Sequence, residues 1–157
     1  MGVVEGDMAP DFIMQATGER TVSLDGLKGK SFILYFYPKA NTPGCTKQAC
    51  AFQESSSKLE EIGLDVIGVS PDKNKPIEKF AAKYGLTFPL ASDEDHAVAK
   101  RYGTWVEKSM YGRKYMGIER STFLIDAAGK VLKAWRKVNV TGHADEVMQA
   151  ARSLKLI

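Results

Sequence analysis

The run Phe32-Ile33-Leu34-Tyr35-Phe36-Tyr37 constrains this chain more than any other stretch. Bounded by Lys30 and Pro38, it has no polar face, so it reads as a strand covered on both sides at the centre of a sheet. Residues 64–69 repeat the pattern. Between the two lies a helical stretch from about 46 to 62, with Phe52, Leu59 and Ile62 at spacings of seven and three and Gly63 as its stop. Strand, helix and buried strand in succession dictate an α/β layer architecture.

The rest of the chain fits that frame. Residues 12–16 and 20–23 flank Thr17-Gly18-Glu19 as an N-terminal hairpin. A helix opens near Asn74 or Lys75 with Pro76 in its first turn and ends at Gly85; another runs over about 94–102, capped by Ser92 or Asp93 and stopped by Gly103. Residues 121–125 and 131–135 flank Asp126-Ala127-Ala128-Gly129 as a second hairpin, and an amphipathic helix over about 144–154 closes the chain. No repeat or linker divides it, so residues 1–157 are expected to form one domain.

Composition narrows the function classes. An apolar fraction of 44%, a charged fraction of 26% and a net charge of +3 describe an ordinary soluble chain. No basic run marks nucleic acid or membrane as a partner, which leaves small substrates or proteins. No stretch is long enough to cross a bilayer and residues 1–10 lack the apolar segment of a signal peptide, so the cytoplasm is the expected location. Asn139-Val140-Thr141 is read as a chance sequon.

Two cysteines are too few for a disulfide scaffold. Cys45 sits where a loop, residues 38–44, enters the first helix. Unpaired N–H groups and the positive end of the helix dipole favour an anion there, and the thiolate is the nucleophilic form of cysteine. Pro43 and Gly44 suit a first turn whose backbone lies close to a ligand. The same features also suit a tight loop with a cysteine packed beneath it. Cys50 follows five residues later, which in an intact helix separates the Cα atoms by about 8–9 Å. A disulfide needs about 7 Å or less. Either the first turn unwinds to let the pair bridge, or the two are unrelated and Cys50 is a core residue beside Ala49 and Phe52.

Pro38, Thr42 and Cys45 form Pro-x-x-x-Thr-x-x-Cys, which resembles the active-site signature of the peroxiredoxins. The segment Phe36-Tyr37-Pro38-Lys39-Ala40-Asn41-Thr42-Pro43-Gly44-Cys45-Thr46, with Cys50 behind it, is similar to the bacterioferritin-comigratory or peroxiredoxin Q branch. The likeness continues through Val69-Ser70-Pro71-Asp72, Ser92-Asp93-Glu94-Asp95-His96, Tyr102-Gly103-Thr104-Trp105 and Arg120-Ser121-Thr122-Phe123-Leu124-Ile125-Asp126, nearly the whole chain in order. The resemblance implies a thioredoxin-like fold, a central mixed β-sheet flanked by helices and extended by the N-terminal β-hairpin. It implies reduction of hydrogen peroxide and organic hydroperoxides without metal or organic cofactor. Cys45 is then the peroxidatic nucleophile and Cys50 the resolving cysteine, in an intramolecular disulfide that a thioredoxin- or glutaredoxin-type partner reduces. Thr42 would hydrogen-bond thiolate and peroxide, Arg120 would hold the thiolate charged and polarise the O–O bond, and Pro38 would shield the sulfur from water. A pair within one helix needs no partner subunit, so a monomer is expected.

Some residues carry weaker expectations. Gln48, one turn after Cys45, is placed to support the shell around it, and Tyr37 and Phe36 either wall the pocket or belong to the core. His96 and His143, among polar neighbours, are expected on helix surfaces, and Lys108, Arg113 and Lys114 in a solvated basic loop. A thioredoxin-like disulfide oxidoreductase is the nearest rival, but it calls for Cys-x-x-Cys rather than Cys-x4-Cys. A metal-binding or chaperone-like module lacks a second close ligand pair.

Overall fold

The computed structural model describes residues 2–154; Met1 and residues 155–157 of the expected domain lie outside it. Its centre is the apolar run, strand β3 (Ser31–Phe36), in which Phe32, Leu34 and Phe36 point to one face of the sheet and Ile33 and Tyr35 to the other. On one side β3 pairs in parallel with β4 (Leu64–Ser70), and β4 with the short β5 (Leu90–Ser92). On the other side β3 pairs antiparallel with β8 (Ser121–Ile125), which pairs with β9 (Val131–Trp135). The hairpin β1 (Ile13–Ala16) and β2 (Arg20–Ser23) turns at Gly18 and Glu19, both with positive φ. It joins the sheet through Ala16 opposite Ala91, giving the seven-stranded order β2-β1-β5-β4-β3-β8-β9.

Helices cover both faces. The first face takes α1 (Pro43–Glu61), α2 (Asn74–Tyr84) and α4 (His143–Ser153), whose Phe52, Leu59, Ile77, Phe80, Val147 and Ala151 pack on Ile33, Tyr35, Val66 and Leu124. Opposite them α3 (Ala97–Tyr102) and Phe12 cover Phe32, Leu34, Phe36 and Phe123. Gly85 and Gly103 take the left-handed conformation that ends α2 and α3.

Three expectations change. Helix α1 begins at Pro43, three residues early, so Cys45 lies inside its first turn rather than before it. Helix α3 begins at Ala97 and not near Glu94; Asp93 still caps it, its carboxylate accepting the N–H groups of Val98 (3.1 Å) and Ala99 (2.8 Å). The basic loop is a two-stranded hairpin, β6 (Trp105–Met110) and β7 (Arg113–Ile118), with Lys108 on one strand and Arg113 and Lys114 on the other. Among the described residues no helix is long and apolar enough to cross a membrane.

Candidate active site

The site is built where β3 ends, α1 begins and β8 starts. After Tyr37 and the half-buried Pro38, the chain crosses to α1 through a loop held by two neighbours. The Ala40 N–H donates to Asp72 at 2.7 Å, and the Tyr84 hydroxyl donates to Asn41 Oδ1 at 3.1 Å. Asn41 sits at φ 62°, a conformation Asn tolerates better than most residues. Asp72 and Tyr84 thus anchor the loop, a role invisible in sequence because they come from β4's end and α2.

Helix α1 starts with Pro43 in its first turn, where a missing N–H costs nothing. The first intrahelical bond runs from Thr46 N–H to the Thr42 carbonyl, 2.8 Å. The N–H groups of Gly44 and Cys45 precede it and have no intrahelical acceptor. Cys45, 1% exposed, packs in the same layer as Tyr35, Tyr37 and Phe52.

Arg120 completes the arrangement from the start of β8. Its Nη2 donates to Cys45 Sγ at 3.2 Å and its Nη1 to Gln48 Oε1 at 2.7 Å. A planar guanidinium satisfies both acceptors without moving, which a lysine ammonium does not match. The backbone carbonyl of Arg120 accepts the Val138 N–H at 3.0 Å, fixing its base. Gln48, 2% exposed, therefore orients Arg120 against the sulfur, while its own Nε2 makes no hydrogen bond within the protein. An alanine Cβ at Gly44 would lie 3.4 Å from Arg120 Nη2, so a small residue leaves the guanidinium its place.

Other expected residues sit differently. Thr42 is the helix N-cap residue but makes no side-chain cap; its hydroxyl donates to the Lys39 carbonyl at 2.8 Å, not to the sulfur. Phe36 points away from the site into the opposite core layer, whereas Tyr37 shares the layer of Cys45. Tyr35, not singled out from the sequence, lies in that layer too. Its ring stacks on Phe52 at 4.9 Å and its hydroxyl makes no hydrogen bond within the protein. Burial pushes the Tyr35 phenol well above its ordinary pKa, so it stays neutral.

Both cysteines are free thiols within the unbroken α1. Cys50 is partly exposed, and burial, aided by the Glu54 carboxylate, raises its pKa above the ordinary thiol value. It remains protonated while Cys45 faces a fixed cation.

The histidines depart from expectation. His143 is 2% exposed, not a surface residue, and its ring packs edge-on against Phe52 and Trp135. Nδ1 lies 3.0 Å from Glu146 Oε1 and Nε2 2.8 Å from Thr122 Oγ1. A carboxylate only accepts, so Nδ1 carries the hydrogen and Nε2 accepts the Thr122 O–H. Burial lowers the His143 pKa, although Glu146 opposes the shift. Its spacing of four to Val147 and eight to Ala151 on the buried stripe of α4 was the available signal. His96 is half-buried, stacked on Trp105 at 3.7 Å.

The chain resembles known proteins along nearly its whole length. Residues 5–134 match the model of the AhpC/TSA family. The putative peroxiredoxin bcp of Coxiella burnetii is 48% identical over 148 residues, 94% of this chain and 98% of that protein. Peroxiredoxin Bcp of Bacillus subtilis is 44% identical over 154 residues, 98% of each chain. A solved structure of the bacterioferritin comigratory protein of Xanthomonas campestris, studied for its alkyl peroxide reduction activity, superposes with a TM-score of 0.90 at 38% identity, covering 99% of both chains. With a buried cysteine in a helix's first turn, a guanidinium on its sulfur and relatives of this kind along its length, the chain belongs to the AhpC/TSA family and is a thiol-dependent peroxidase of the peroxiredoxin type.

Proposed function

We propose that Cys45 is the peroxidatic nucleophile and Cys50 the resolving cysteine of an intramolecular cycle. The observation that carries this reading is the guanidinium of Arg120 bridging Cys45 Sγ and Gln48 Oε1. In the first step the Cys45 thiolate attacks one oxygen of a hydroperoxide; an S–O bond forms and the O–O bond breaks. The sulfur becomes a sulfenic acid, and the leaving oxygen takes a proton to depart as water or alcohol. Arg120 and the N–H groups of Gly44 and Cys45 stabilise the negative charge that develops on the peroxide oxygens. The Thr42 hydroxyl, which bonds the Lys39 carbonyl at rest, turns toward the thiolate and peroxide when substrate arrives, and Pro38 keeps bulk water off the sulfur.

In the second step Cys50 attacks the sulfenic sulfur, forming the disulfide and expelling water. The helical separation of about 8–9 Å forbids this in place, so the first turns of α1 unwind. A thioredoxin- or glutaredoxin-type dithiol then reduces the disulfide and is itself oxidised. The alkyl peroxide reduction for which the Xanthomonas relative was studied supports organic hydroperoxides, alongside hydrogen peroxide, as substrates. We read the chain as one domain, working as a monomer in the cytoplasm.

Stopped-flow mixing of the reduced protein with hydrogen peroxide, beside Cys45→Ser, tests the first step. The native protein reacts orders of magnitude faster than a free thiol and the variant does not. Equal, slow reaction of both, repeated with a bulkier peroxide, contradicts the assignment.

A further inference from the structure

His143 is buried and takes no part in the chemistry set out above, yet it touches both sides of the site. Its Nε2 accepts the Thr122 O–H at 2.8 Å, and Thr122 lies two residues after Arg120, on the same alternating face of the chain. Its ring packs edge-on against Phe52 at 6.2 Å. Phe52 lies seven residues after Cys45, two turns along the same face of α1. The two contacts close a circuit, because Thr122 stands opposite Tyr35 in the β3–β8 pairing and Tyr35 stacks on Phe52 at 4.9 Å. Nδ1–H donates to Glu146 Oε1 at 3.0 Å, which fixes the tautomer and leaves Nε2 as the acceptor. Burial, and to a lesser degree the Arg120 charge, keep the ring neutral against the pull of Glu146.

The segment that leads into His143 adds two links of the same kind. The Val138 N–H donates to the Arg120 carbonyl at 3.0 Å, and Thr141 Oγ1 accepts from Lys47 Nζ at 3.1 Å, two residues past Cys45. Residues 138–143 therefore hold Arg120 at its own carbonyl and through Thr122, and hold α1 at Lys47 and at Phe52. The Lys47 link is exposed, whereas Thr122 and His143 are 0% and 2% exposed. With no water to replace the lost acceptor, removing Nε2 leaves the Thr122 hydroxyl unpaired, and the start of β8 must shift to satisfy it. Arg120 donates to the sulfur from that strand start, at 3.2 Å, and reacting groups lose rate steeply with small displacements.

We propose that His143 is a positioning residue for peroxide attack: by accepting from Thr122 and packing on Phe52, it sets the distance between Arg120 and Cys45. The proposal rests on the reading of Cys45 as the peroxidatic nucleophile. Both ring nitrogens are occupied, by Thr122 and Glu146, which leaves neither for the sulfur or the peroxide.

The test is single-turnover stopped-flow of pre-reduced protein with hydrogen peroxide across pH, with urea unfolding of every variant beside it. His143→Leu fills the space without an acceptor, His143→Gln offers an amide oxygen to Thr122, and Thr122→Val removes the donor while the ring stays. His143→Leu is expected to slow attack at neutral pH about tenfold and to raise the pH midpoint of reactivity by about one unit, since a displaced Arg120 favours the thiolate less. His143→Gln recovers most of both. Thr122→Val reproduces the loss, and combined with His143→Leu it is no worse than either change alone, because both act through one bond. If His143→Leu does not fold, Thr122→Val decides by the same two readings. Native rate and midpoint in the folded variants overturn the proposal and leave Cys45 as the nucleophile. Rates that fall only in step with stability, at an unmoved midpoint, make His143 a packing residue and overturn it too, as do losses that add in the double variant. If the native protein reacts no faster than a free thiol, the reading of Cys45 falls and the proposal falls with it.

Discussion

The two sides of the site are held with very different firmness. Arg120 immediately precedes β8, where all five residues are buried and each is paired with β3 from Phe32 opposite Ile125 to Phe36 opposite Ser121. Cys45 stands on the first turn of α1, which has no side-chain cap, no acidic residue near its start, a proline and a glycine, and exposed neighbours at Asn41, Pro43 and Lys47. What ties that turn down is a handful of contacts: Arg120 to Gln48 and Cys45, and Lys47 Nζ to Thr141 Oγ1 at 3.1 Å. A firm side that sets charge and a loose side that carries the sulfur is the arrangement a two-geometry cycle needs. Attack requires the turn folded against Arg120, and disulfide closure requires it open. Opening breaks those contacts and uncovers Cys45 and Ala49, two small side chains buried in the layer of Tyr35, Tyr37 and Phe52. Its cost is that of a small apolar area at a helix end, which frays more readily than an interior.

The largest effect is expected on the firm side. Arg120→Met should lower kcat/KM for hydrogen peroxide by roughly 10²–10³-fold, the scale of losing a preorganised charge donor. Arg120→Lys should not restore it, because one ammonium cannot serve both Cys45 and Gln48. Recovery by lysine would mean that charge alone matters. Gly68→Ala attacks the platform without touching the sulfur. Its Cβ would fall 2.7 Å from Leu90 Cδ2 and 2.8 Å from Tyr35 Cζ, costing about 1–3 kcal/mol in urea unfolding. A neutral result would show the sheet to be softer than described.

The loose side gives smaller changes and a different signature. Gly44→Ala should strengthen the first turn by about 0.5–1 kcal/mol, slowing disulfide closure roughly two- to fivefold while peroxide attack keeps its rate. Closure and attack slowed alike would place the limiting motion elsewhere. Cys50→Ser should leave the first oxidation intact and accumulate sulfenic acid, detected by mass after trapping with a 1,3-diketone reagent.

The smallest effect is thermodynamic and sits at the seam between the two sides, where His143 packs on Phe52 and bonds Thr122. Its pKa is lowered by burial, so the unfolded chain takes up the proton first. The contribution to stability is complete above the ordinary value of 6.5 and is lost as pH falls from there toward the folded-state value. The unfolding free energy from urea titration should fall over that window with a slope no steeper than about 1.4 kcal/mol per pH unit, and His143→Gln should flatten the dependence. An unchanged slope would assign it to other groups.

This contrast also explains what was legible beforehand. The firm side was: an unbroken apolar run can only be a covered strand, and β3, β4, β8 and β9 follow from such runs and their turns. Cys45 drew attention through Pro43, Gly44 and the helix that follows. Arg120 was one basic residue among 22 and was singled out by family likeness alone, since proximity to the sulfur is tertiary. The helix start was set at about residue 46 because residues 38–44 read as a loop, although Pro43 and Gly44 also suited a first turn. The hairpin β6–β7 escaped because exposed Met110, Tyr111, Tyr115 and Met116 break polar/apolar alternation; the turn at Tyr111-Gly112, both with positive φ, was its one signal. Thr42 shows the remaining gap: a motif names the residue, while the resting rotamer of its hydroxyl depends on a neighbouring carbonyl.

Hydrogen exchange of the backbone amides, compared between the reduced protein and the protein oxidised by one equivalent of peroxide, tests the central claim most directly. Amides from about residue 46 to 50 are expected to lose protection on oxidation while those of β3 and β8 keep theirs. A Cys45–Cys50 disulfide formed with the first turns of α1 still protected, or with protection lost across the sheet as well, would contradict it.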